Sequence, residues 1–72
     1  MSYLQFINNM DNPTIVWKFW LAETQLVGTV VTYVKDSNGL PMTIMVLLSD
    51  MGRIVEIPWV AIKTIETEIN NG

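Results

Sequence analysis

Apolar side chains near the start of the chain recur with a helical period. Tyr3, Phe6, Ile7 and Met10 fall at i, i+3, i+4 and i+7, one face of a short helix. Ser2 and Gln5, three residues apart, have the form of a capping box. Pro13 cannot donate to a helical ladder and disfavours helical geometry at Asn12, so the helix ends before it. The pattern predicts a helical lid over residues 2–10 with an apolar underside.

From Thr14 the residues become β-branched and aromatic and the apolar period falls to two, the spacing of strands. A first strand carries Trp17, Phe19 and Leu21 on one face and Val16, Lys18 and Trp20 on the other. A long second strand, Gln25 to Val34, contains Gly28, and a glycine inside a strand marks a bulge or a sharp bend. Met42 to Leu48 is apolar throughout and predicts a strand buried on both faces. Arg53 to Ile57 and Ala61 to Glu66 complete five strands, separated by Pro58-Trp59-Val60. Asp36-Ser37-Asn38-Gly39 is the strongest turn, because Asn-Gly readily takes the positive φ angles of tight hairpins. No repeat or linker interrupts the pattern, which predicts a single all-β domain: lid 2–10, barrel 14–66 and a frayed tail 67–72.

Composition changes this picture in one respect. Half of the 72 residues are apolar, yet a domain of about 60 residues buries only ~60% of the surface its unfolded chain exposes. The excess is expected to line a contact between copies, since contiguous outward apolar patches mark interfaces. The chain has no Cys and no His, which removes disulfides, thiol nucleophiles, imidazole bases and the usual zinc ligand sets. There is no phosphate-cradling glycine loop with lysine and no nucleophile beside a base, so no enzymatic activity and no cofactor are expected. Glu66 and Glu68 near the end read as a solvated terminus rather than an acid pair. The first residues lack the basic and apolar regions of a secretory signal, and the longest uncharged run, residues 37–49, is shorter than the ~20 residues of a membrane helix. A cytoplasmic protein without a membrane partner is the expectation.

The layout resembles the Sm-like family (Sm, LSm and Hfq proteins). Ile57-Pro58-Trp59-Val60-Ala61-Ile62-Lys63-Thr64-Ile65 has apolar residues at its first, sixth and ninth places, like that family's second motif. Leu26-Val27-Gly28-Thr29-Val30 stands where the family has its strand-two glycine, and the helix and Pro13 break also match in place. The resemblance implies a small five-stranded SH3-like (Sm-like) barrel with a short N-terminal α-helix. It further implies a homo-oligomeric ring in which strand four of one copy pairs with strand five of the next. Ile54, Val55, Ile57, Ile62 and Ile65 are the subunit-interface candidates. In the family the loop between strands two and three, and a motif between strands four and five, hold RNA. Here the first loop has Asp36 and Asn38, while Pro58-Trp59 stands in place of the family's Arg-Gly.

Candidate contacts to single-stranded RNA or DNA are therefore Lys35, Asp36, Ser37 and Asn38 on the hairpin, with Pro58 and Trp59 at the second loop. Trp59 has a base-stacking reading, worth ~1–3 kcal/mol where such contacts exist, beside a packing reading; Trp17, Phe19 and Trp20 read as packing. Charge weighs the other way. Seven acidic side chains face only four basic ones (Lys18, Lys35, Arg53 and Lys63), a net charge of −3, and phosphate binding depends on concentrated cations. A protein-binding adaptor barrel that holds no nucleic acid is the alternative.

Overall fold

The computed structural model describes residues 3–67. Helix α1 (Tyr3–Asn9) leads into five strands: β1 (Trp17–Trp20), β2 (Gln25–Lys35), β3 (Pro41–Leu48), β4 (Ile54–Pro58) and β5 (Thr64–Thr67). A single 3-10 turn, Trp59–Ala61, links the last two strands, so β5 begins at Thr64 rather than Ala61. All five strands form one antiparallel sheet in the order β4-β3-β2-β1-β5. The fold is all-β with one short helix, as the change of period implied. Thr67, assigned above to the tail, is paired with Trp17; Ser2 and the rest of the tail, residues 68–72, lie outside the described residues.

Strand β2 holds the sheet together because it serves two partners in succession. Residues 25–28 pair with β1 and residues 28–35 with β3, and Gly28 alone is in register with both Trp17 and Leu48. Three strands crowd at that point. A Cβ at residue 28 would land on the Leu47 carbonyl oxygen and 2.8 Å from Val46 Cγ1, so the close approach needs glycine. A register shift between Val30 and Thr32 leaves Val31 unpaired, a bulge that adds twist just beyond the handover.

The core lies on one face of the sheet. Trp17 and Phe19 of β1, Ile44 and Val46 of β3, Ile57 of β4 and Ile65 of β5 are all nearly or fully buried, the i, i+2 alternation that pleating imposes. Phe6 of α1 is buried at its centre. Its ring meets Trp17 edge-on at 4.7 Å, Phe19 edge-on at 5.8 Å and Trp59 in a stack at 5.8 Å. The helix is thus a lid, as its period predicted, with Met10 buried beside Phe6. Strand β3 departs from expectation. It alternates rather than being buried on both faces, with Met42 55% and Leu47 39% exposed, because nothing among the described residues covers its outer face.

Two stability measurements test this packing. Gly28→Ala should destabilise the fold by about 2–3 kcal/mol, the upper part of the overpacking range, since the obstacle is backbone; an unchanged urea midpoint would contradict the close approach. Phe6→Ala should cost about 3–5 kcal/mol, with Phe6→Leu losing much less, as read by thermal or urea melts.

Candidate functional site

The hairpin between β2 and β3 brings Lys35, Asp36, Ser37 and Asn38 together at one tip. Its geometry follows from Asp36. The Asp36 carboxylate accepts the backbone N–H groups of Asn38 at 2.8 Å and Leu40 at 3.0 Å, an Asx-type arrangement that locks the turn. The Asp36 N–H donates to the Leu40 carbonyl at 2.8 Å, and the Asp36 carbonyl accepts from Gly39 N–H at 3.1 Å. Only Gly39 in this loop has positive φ, at 82°. The tip is therefore a three-residue loop with one left-handed residue rather than a two-residue turn with positive φ at both Asn38 and Gly39.

This arrangement divides the candidates. Asp36 has its carboxylate engaged by its own backbone, whereas Lys35, Ser37 and Asn38 are exposed. The Lys35 ammonium lies 5.3 Å from the centre of the Tyr33 ring, a cation–π contact that gives the side chain a preferred position. Apolar groups flank the tip: Val34 49%, Leu40 48% and Met42 55% exposed. Met42 is the residue skipped in the second register shift, between the pairs Val34–Thr43 and Lys35–Pro41.

The second loop behaves differently. Pro58 is exposed, but Trp59 is half-buried and stacked on Phe6 with an interplanar angle of 28°. The packing reading of Trp59 holds for that ring face. The structure does not bring Trp59 into an aromatic patch with Trp20, which lies on the outer face of β1 and is 39% exposed rather than packed in the core.

Trp20 marks a cluster that the sequence pattern did not single out. Its indole N–H donates to Glu66 Oε1 at 2.6 Å, and the Lys18 ammonium lies 5.7 Å from the ring centre. Lys18 is directly opposite Glu66 in the β1–β5 ladder. The available signal was the Lys18, Trp20 alternation, which fixes both on the outer face. Glu66 is engaged by this indole, and Glu68 lies outside the described residues.

The five interface candidates also separate. Ile57, Ile62 and Ile65 are 2%, 5% and 1% exposed and pack in the chain's own core, so their side chains are not a free contact surface, contrary to expectation. Ile54 is 56% exposed and Val55 is half-buried. An exposed row joins Ile54 to Leu47, its partner in the β3–β4 register.

Elsewhere an open cleft of about 490 Å³ lies between the β1–β2 and β3–β4 turns, with Gln25, Ser49, Asp50 and Met51 on its walls. Asp50 is the one ionisable group lining it. Among the described residues no group of three or more His, Cys, Asp or Glu is placed to hold a metal ion. Among the described residues no helix is long and apolar enough to cross a membrane. Comparison with known proteins found no family model and no curated sequence that matches the chain.

The turn chemistry is testable. Asp36→Ala should lower stability by about 1–2 kcal/mol through two lost charge-assisted hydrogen bonds partly replaced by water, and Asp36→Asn, which keeps an acceptor, should lose less than half of that in urea melts. Equal losses for the two variants would show that the acceptor geometry is not what stabilises the tip.

Proposed function

We propose that the chain is a non-catalytic SH3-like barrel of the Sm-like type that works as a homo-oligomer and binds single-stranded nucleic acid, RNA or DNA, at its β2–β3 tips. The observation that carries this reading is the strand order β4-β3-β2-β1-β5. It leaves the fourth and fifth strands at opposite edges of the sheet, available to the next copy on either side. Self-pairing of the β4 and β5 edges consumes the unpaired backbone groups that an exposed edge presents. Because such a contact is heterologous, repetition closes into a ring when the rotation permits.

Repetition also answers the charge problem. One copy carries only four basic side chains, too few for a phosphate-binding surface. A ring multiplies Lys35, the one cation at the tip, into a circle of charges separated by exposed Ser37 and Asn38 donors and acceptors. Trp59 contributes to the lid through Phe6 and is not assigned a base contact. The exposed apolar flank of the tip, Val34, Leu40 and Met42, favours a second reading in which the same tips hold a protein partner. The net charge of −3 favours that reading as well.

Fluorescence anisotropy with short U-rich and A-rich oligonucleotides at low salt separates the two. The first reading expects binding that weakens with salt, and a Lys35→Ala variant with lower affinity and a smaller salt slope, by about one unit for each lysine–phosphate contact removed per bound strand. Absence of binding to every oligonucleotide at low salt would remove it in favour of the protein-binding reading.

A further inference from the structure

At the start of β2, remote from the hairpin tip, the β1–β2 turn shapes a second concavity. Leu21 N–H donates to the Thr24 carbonyl at 2.8 Å and closes this turn over Ala22 and Glu23. Neither residue has a positive φ, and two-residue loops without one splay the strands they join. Beside the turn lies an open cleft of about 340 Å³, with Trp20, Leu21, Glu23 and Gln25 on its walls. That volume is near the small end of ligand clefts, the size for a side chain rather than a large cofactor.

Trp20 is held in position at this cleft. Its indole N–H donates to Glu66 Oε1 at 2.6 Å, a contact that fixes the edge of the ring and still leaves the residue 39% exposed. An aromatic side chain fixed in this way loses little freedom when a ligand arrives. The ring already attracts one cation, since the Lys18 ammonium lies 5.7 Å from its centre, within the range of a cation–π contact. The charge of the cleft points the same way. Glu23 is the one ionisable group on its walls, and it is exposed. An aromatic wall, an aliphatic wall from Leu21 and a single carboxylate are the complement of a cation on an apolar stem.

We propose that this cleft binds an arginine side chain presented by a partner protein, with the guanidinium stacked on Trp20 and paired with Glu23 and the methylene stem against Leu21. Arginine fits better than lysine because its guanidinium is planar, weakly hydrated and forked. It can lie on an indole face and give two parallel hydrogen bonds to one carboxylate, which an ammonium cannot do. A nucleic-acid phosphate entering the same cleft would be repelled by Glu23. The net charge of −3 adds a long-range attraction for a basic partner. Gln25 and Lys35 stand at opposite ends of β2, so this site is separate from the tip and depends neither on assembly nor on what the tip binds.

Heteronuclear NMR tests the site with a short glycine peptide carrying one central arginine and blocked at both ends. The Trp20 indole N–H signal, identified by its loss in Trp20→Phe, should shift saturably at millimolar peptide and low salt. Replacing the arginine by citrulline, which keeps the shape and removes the charge, should abolish the shift, and a lysine peptide should bind more weakly. Glu23→Gln and Trp20→Leu should each weaken binding about two- to fivefold, read from the backbone amide signals of the turn, with circular dichroism verifying that both variants are folded. Lys35→Ala, at the far end of β2, should bind as the wild type does. An unmoved Trp20 signal, equal shifts with the citrulline peptide, or undiminished binding by both cleft variants would overturn the proposal. So would a short oligonucleotide that moves this signal where the arginine peptide does not.

Discussion

The aromatic contact centred on Phe6 is the interaction on which the other parts depend. One side of the five-stranded sheet is apolar, and the chain supplies only a seven-residue helix to cover it. A helix that short has no independent stability in water; it persists because Phe6 inserts among Trp17, Phe19 and Trp59. Those rings come from β1 and from the turn between β4 and β5, elements far apart in sequence. Phe6 therefore fixes the helix, the central sheet and the approach to the edge strand β5 together. The contact is strong enough to accommodate a defect, since the Trp17 indole N–H is buried without a hydrogen-bond partner. An unpaired buried donor costs about 1–3 kcal/mol, comparable with what burial of one large side chain returns. The surrounding rings must supply the remainder.

Much of this was legible in the chain. The i, i+3, i+4, i+7 spacing placed the lid, the shift to a period of two placed the strands, and Gly28 marked where β2 changes partner. These features are local, or follow from the pleat, so a single segment contains the whole signal. The departures have a common cause in tertiary context. Met42 and Leu47 look like core positions by residue type, yet they lie on a face that the single chain leaves uncovered. Asn38 is suited to positive φ, but the Asp36 carboxylate sets a longer turn in which Gly39 alone needs it.

The candidate site was less legible for a related reason. Ile57 and Ile65 belong to edge strands and Ile62 to the segment that leads into one, and an edge position suggests an available side chain. Pleating separates the two properties. The backbone of an edge strand faces outward at alternate residues, while its side chains point up or down. Ile65 can thus pack in its own core and still offer its N–H and C=O to a neighbour. Trp20 shows the converse: its side chain is at the surface, but its position is set by Glu66 from β5, a partner 46 residues away that periodicity cannot reveal.

The sheet order leaves β4 and β5 as its two outer strands. Side-chain chemistry among the described residues is sparse, with no metal cluster and with the hairpin carboxylate committed to its own loop. Backbone chemistry is not sparse, since each edge offers an ordered series of donors and acceptors. Unprotected edges of this kind are an aggregation hazard unless something limits what they accept. Charged residues flanking apolar ones supply that limit: Arg53 and Glu56 bracket Ile54 and Val55, and Lys63 and Glu66 bracket Thr64 and Ile65. A foreign apolar strand brought to either edge meets charges it cannot match.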